Sequence, residues 1–290
     1  MKYHSDTLIP HKAAIMSAPA NLLAEEVCLP AALLKKTALE NNIAWMQRYA
    51  DARGVSLAPH GKTTMTPWIF QAQQRAGAWG IGVGSAWQAS AAMASGVERV
   101  LMVNQLVGRA NMQAVSRLKA HYRTAEFICC IDSLANARAL STFFDERRQT
   151  LDVLIELGVA GGRCGCRSVE DALALAQVAA ELPGLRLRGL ELYEGVLHGD
   201  DPQPQVEALL RQAADLACRM EHLVEGGVCA DRSRYRLVRR GVQYLAGGEE
   251  TGAVPNRYPP RVLYHSRPRD LRYRAESAGG PRSDRLRSGR

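Results

Sequence analysis

Residues 151–165 read Leu-Asp-Val-Leu-Ile-Glu-Leu-Gly-Val-Ala-Gly-Gly-Arg-Cys-Gly. The first seven, Leu151 to Leu157, form a near-continuous apolar run of one strand's length. The glycines behind them read as a turn. Such a run is expected of a parallel strand whose sheet is covered on both faces. Working outward, further short apolar strands stand at Phe127 to Ile131, Arg99 to Val103, Trp79 to Val83 and Val55 to Ala58 on one side, and at Leu185 to Leu190 on the other. Helical patterns separate them. Thr37 and Glu40 form a capping box before the apolar stripe Leu39, Ile43, Met46 and Ala50. Pro67 opens a second helix at the position where its missing N–H costs nothing. Met112, Val115 and Leu118 mark a third helix, and a long amphipathic one runs from Gln203 to Leu223.

Six consecutive βα units predict a TIM-barrel-like parallel βα repeat lacking its last two strands; periodicity alone leaves a doubly wound sheet open. The expected organisation is an N-terminal extension over 1–26, an incomplete barrel over 27–230 and an irregular tail over 231–290.

Across its 290 residues the chain is 47% hydrophobic and 23% charged, a globular composition, with a net charge of +8. The charge is unevenly placed. Residues 1–230 carry a net −1, whereas 231–290 carry +9 from arginine without a single lysine. A nucleic-acid-binding tail usually mixes the two cations and interleaves aromatics, so neither nucleic acid nor a membrane is the expected partner. The tail reads like translation of a shifted frame. The apolar stretches are too short to span a membrane, and Glu25 and Glu26 interrupt the place where a signal peptide would need its apolar core, so a cytoplasmic protein is expected. Seven cysteines with no Cys-x-x-Cys pair indicate buried thiols rather than disulfides or a zinc ribbon.

In a barrel the chemistry sits behind the strands. After the first strand stand Pro59, His60, Gly61, Lys62 and Thr63; after the third, Asn104 and Gln105; after the fifth, Arg163; after the sixth, Tyr193 and Glu194. A lysine behind a buried strand, its pKa lowered by burial and neighbouring cations, can form a Schiff base with a carbonyl cofactor. Taken singly, Lys62 reads as a surface charge, Arg163 as a partner for Glu156, Tyr193 as an interior aromatic and His60 as a loop residue. His121, His198 and His222 lack metal-ligand spacing.

Pro59-His60-Gly61-Lys62-Thr63, preceded by Glu40-Asn41-Asn42-Ile43 and followed by Asn104-Gln105-Leu106-Val107-Gly108, Gly-x-Arg163-Cys164-Gly165 and Tyr193-Glu194-Gly195, resembles the D-threonine aldolase and D-serine dehydratase family. Its pyridoxal phosphate barrel is similar to the N-terminal domain of alanine racemase. The resemblance implies that Lys62 carries the Schiff base with pyridoxal phosphate, that Arg163 approaches the cofactor's phenolic oxygen, and that Tyr193 lies near the pyridine nitrogen. His60 and Gln105 would line the same pocket. The implied activity is a lyase reaction on a small D-amino acid, an aldol cleavage or a dehydration.

The same resemblance implies a glycine- and serine-rich phosphate cradle from strands seven and eight and a His-x-Cys pair for a divalent metal. Neither is found: Gly247-Gly248 runs into Glu249-Glu250, His265 has no cysteine beside it, and no metal ligand is assigned. An open barrel with bare strand edges would be unstable, aggregate or form a homodimer. Two alternatives remain. One is a pyridoxal phosphate-binding protein without turnover. The other is a nucleotide hydrolase suggested by Gly61-Lys62-Thr63-Thr64 and by the apolar strand ending in Asp132, although its phosphate loop would need glycine where Ser56 stands.

Overall fold

The computed structural model describes residues 21–26, 30, 33–52, 56–198, 201–223, 236–239 and 262–264. Its helices are α1 (Lys36–Asp51), α2 (Pro67–Arg75), α3 (Ala86–Ala94), α4 (Arg109–His121), α5 (Leu134–Asp145), α6 (Val169–Glu181) and α7 (Gln203–Leu223). They alternate with strands β1 (Ser56–Leu57), β2 (Ile81–Val83), β3 (Arg99–Gln105), β4 (Glu126–Ile131), β5 (Leu151–Leu157) and β6 (Leu185–Leu192). The side-chain oxygens of Ser85, Ser133 and Ser168 accept from the first-turn N–H groups of α3, α5 and α6, which fixes where those three helices begin behind their strands. Pro67 opens α2 as expected. The expected Thr37 cap is not formed: the N-cap is Lys35, two residues earlier, so Thr37 lies inside the helix.

Strands β2 to β6 pair in parallel and in sequence order. Two short strands complete the sheet: β7 (Arg236–Arg239) lies parallel to β6, and β8 (Val262–Tyr264) runs antiparallel between β7 and β1. At the far side β1 continues into a parallel bridge between His60 and Gly82, supported by Trp79 N–H to Leu57 O at 2.7 Å and Gly82 N–H to Pro59 O at 2.8 Å. The ring therefore closes. This corrects two expectations: the barrel is not open at its edges, and the segment after residue 230 is not without strands. With four and three residues, β7 and β8 are too short to show a period in sequence, and β8 runs against the repeat.

Alternation along each strand divides the core into two. Val100, Met102, Phe127, Cys129, Val153, Ile155 and Leu190 point outward against the helices, while Ala58, Leu101, Val103, Ile128 and Leu154 fill the lumen. Asp152 and Glu156 share the lumen-facing parity of Leu154. Near the N-terminal end of β5, Asp152 is 2% exposed, holds Arg186 through two hydrogen bonds, and accepts from Arg188 Nη1 at 3.2 Å. A buried carboxylate needs such partners. None of the described helices is long and apolar enough to cross a membrane.

Candidate active site at the C-terminal mouth

Because β1 to β6 run in one direction, the segments that follow them gather at one end of the ring. The segment behind β1 is a 3₁₀ turn, Gly61–Thr63, and Lys62 is exposed on it. The Lys62 stem passes the bare backbone of Gly84, where a Cβ would stand 3.6 Å from Lys62 Cδ and 3.4 Å from Gln88 Oε1. His60 lies against Gly82 on the adjoining strand, with its Nδ1 3.2 Å from where a Cβ would be. A side chain at Gly61 would strike the Phe70 ring at 2.7 Å, so that glycine serves packing. The turn does not run directly into a helix: Thr64 to Thr66 intervene before α2. Asp132 Oδ2 accepts the Gly165 N–H at 3.0 Å. A phosphate loop with its magnesium-binding Asp is therefore not built here.

Across the mouth, Arg163 and Tyr193 meet: the guanidinium carbon lies 5.6 Å from the ring centroid, within cation–π range. Gln105 Nε2 donates to Glu156 Oε2 at 2.6 Å, and Cys164 Sγ lies 3.0 Å from Glu156 Oε1. Burial pushes the Cys164 thiol up from its ordinary range, and the Glu156 carboxylate beside it pushes the same way. The sequence-predicted residues thus form two groups at the same end, Lys62 with His60 beside β2, and Gln105, Arg163 and Tyr193 beside β5 and β6.

Sequence reading missed what lies beneath. Cys130 on β4, Glu156 on β5 and Glu191 on β6 are buried, and their ligand atoms lie within 4.8 Å of one another. Glu156 and Glu191 are register neighbours. One thiol and two carboxylates form a donor set capable of holding a cation, although no metal ligand had been expected. The signal was available: Asp152, Leu154 and Glu156 alternate, so two acids within an apparently apolar run must face the lumen. The other candidates, Gly247, Gly248 and His265, lie outside the described residues.

A primary amine, an aromatic ring with a guanidinium over it, and glycines that keep the backbone bare at Gly82 and Gly84 suit an aldehyde-bearing, anionic aromatic cofactor. The family model described as "Alanine racemase, N-terminal domain" matches residues 34–243. The chain belongs to this family. The chain is 32% identical over 203 residues to a D-threonine aldolase from Arthrobacter sp., covering 70% of this chain and 53% of that protein. It is also 32% identical over 182 residues to a D-threo-3-hydroxyaspartate dehydratase from Delftia sp. strain HT23, covering 62% and 47%. The crystal structure of D-threonine aldolase from Filomicrobium marinum superposes with a TM-score of 0.60 at 30% identity, over 69% of this chain and 53% of that one. The chain spans about half the length of the curated relatives it matches.

Proposed function

We propose that the chain is a pyridoxal phosphate-dependent lyase acting on a small D-amino acid with a β-hydroxyl group, with Lys62 as the amine that holds the cofactor. The observation that carries this is the placement of Lys62 behind β1 at the same end of the ring as the Arg163–Tyr193 pair. The relatives that share this barrel cleave or dehydrate substrates of that class, by their names.

When bound, pyridoxal phosphate supplies an electron sink for the charge left at Cα when a bond to it breaks. The protein's own groups do the rest. Lys62 Nζ would hold the cofactor at its carbonyl carbon and, when free of it, would carry a proton to or from the substrate's Cα. The Arg163 guanidinium would offer donors to the cofactor's phenolic oxygen. The Tyr193 ring backs Arg163 and would lie toward the cofactor's pyridine ring. Gln105, held at one end by Glu156, and His60 line the pocket and orient the substrate. The Cys130, Glu156 and Glu191 donors lie within the barrel with Glu156 already engaged by Gln105 and Cys164, so no step is routed through a metal there.

The test is product analysis with the full chain and added pyridoxal phosphate on D-threonine, D-serine and D-threo-3-hydroxyaspartate, with the L-enantiomers and Lys62→Ala as controls. Glycine plus an aldehyde marks an aldolase, and a keto acid plus ammonia marks a dehydratase. Cofactor binding without either product on any substrate would instead mark a binding protein. Equal turnover by Lys62→Ala would overturn the assignment.

A further inference from the structure

The loop that carries Arg163 is closed at its base and held together by one cation. Gly158 N–H donates to Cys166 O at 2.9 Å and Cys166 N–H to Glu156 O at 2.7 Å, so residues 158–165 leave and rejoin the sheet at one point. Within the loop, Arg167 Nη1 donates to Val159 O at 2.8 Å and to Cys164 O at 3.1 Å, while Nη2 donates to Gly162 O at 3.0 Å. Three carbonyls on both sides of Arg163 thus converge on one guanidinium. Asp132 Oδ2 holds the Gly165 N–H from the neighbouring β4 end. Side chains are also excluded. A Cβ at Gly158 would fall on the Cys164 carbonyl oxygen, and Gly165 has φ +93° with no room for a Cβ beside Gly158.

We infer that Arg167 is a positioning residue that holds Arg163 over Tyr193 by binding the carbonyls of Val159, Gly162 and Cys164. It touches neither the cofactor nor the substrate; it acts through the backbone on either side of Arg163. The three bonds leave from two nitrogens of one rigid guanidinium, a fixed spacing that the single ammonium of lysine on a flexible stem does not reproduce. The consequence for cofactor binding rests on the function proposed above, whereas the effect on Arg163 does not.

The experiment uses the full chain and the variants Arg167→Ala, Arg167→Lys, Arg163→Gln and the Arg163→Gln/Arg167→Ala double. In the cofactor-free protein, Arg167→Ala is expected to speed hydrogen exchange at amides 158–165 with little change elsewhere. It should also shift the Tyr193 ring resonances in the same direction as Arg163→Gln, and Arg167→Lys should not restore them. With pyridoxal phosphate, Arg167→Ala is expected to raise Kd about tenfold, and the double variant should bind no more weakly than Arg163→Gln. Unchanged Tyr193 resonances in a folded Arg167→Ala protein, or full restoration by Arg167→Lys, would overturn the inference. If instead the wild-type chain binds no pyridoxal phosphate, the proposed function fails, and the exchange and resonance measurements still decide the role of Arg167.

Discussion

Gln105 on β3 and Glu156 on β5 are joined by a 2.6 Å hydrogen bond that reaches across the intervening β4 at the mouth of the barrel. Glu156 has a second carboxylate, Glu191, as its register neighbour on β6, and both are buried. Gln105 Nε2 and Cys164 Sγ lie 2.6 and 3.0 Å from the two Glu156 carboxylate oxygens, and buried acceptors need such donors. Removing one such donor leaves a buried acceptor unsatisfied. Gln105→Ala is therefore expected to cost about 1–3 kcal/mol in urea unfolding. Glu191→Gln, which keeps the shape and the hydrogen-bonding capacity of the side chain, is expected to cost less.

Gly195 keeps Tyr193 in place. A Cβ on Gly195 would stand 2.6 Å from the Tyr193 hydroxyl and 2.5 Å from a ring carbon, which no side chain tolerates without displacing the ring. Gly195→Ala should push Tyr193 away from Arg163, cost roughly 1–3 kcal/mol by overpacking, and weaken pyridoxal phosphate binding. Isothermal titration beside a thermal melt reads both. Binding as tight as wild type would show that Tyr193 does not contact the cofactor.

Much of this was legible in sequence where a period was long enough to read. β5 runs from Leu151 to Leu157 and α7 from Gln203 to Leu223, as the patterns indicate. β3, β4 and β6 are extended by one or two residues at an end, because polar residues such as Gln105 and Glu126 continue the ladder without contributing to an apolar pattern. β7 and β8 were not legible, since they follow a break in the βα alternation and β8 pairs antiparallel with distant β1. The candidate site residues Lys62, His60, Arg163 and Tyr193 stand behind strands and Gln105 ends β3, positions where a polar residue is conspicuous in sequence. Glu156, Glu191 and Cys130 were hidden because they lie within strands, where a polar residue facing a lumen looks like an interruption of an apolar run. Arg167 was hidden for another reason: its partners are backbone carbonyls, which leave no mark in sequence.

Alkaline conditions should destabilise the fold through its buried thiols. Burial pushes the Cys129 thiol from 9.0 up to about 12, with the nearby Asp152 charge adding to the shift, and Cys166 is pushed up to about 12 mainly by burial. A raised thiol stays protonated in the native state while the unfolded chain ionises. The stabilisation is therefore complete below about pH 9 and is lost progressively as pH rises toward about 12. For Cys129 alone the slope approaches about 1.4 kcal/mol per pH unit in that window. Urea unfolding at pH 8, 9.5 and 10.5 should show Cys129→Ala losing less stability with pH than wild type, whatever its offset at pH 8. Parallel curves would mean that Cys129 does not titrate with unfolding.

At the other end of the lumen, Asp152→Ala would leave Arg188, 2% exposed, without its carboxylate partner. An uncompensated buried charge costs about 3–5 kcal/mol, enough to lower the yield of folded protein. Pairing Asp152→Ala with Arg188→Met should recover part of the loss in chemical denaturation, and no recovery would place the cost elsewhere.

The most direct measurement is where pyridoxal phosphate attaches. The full chain, incubated with the cofactor, reduced with borohydride and digested, is expected to carry the pyridoxyl group on the peptide containing Lys62, with loss of the modification in Lys62→Ala. A pyridoxyl group found instead on Lys35, Lys36 or Lys119, or on no lysine at saturating cofactor, would contradict the assignment of Lys62 as the cofactor's anchor.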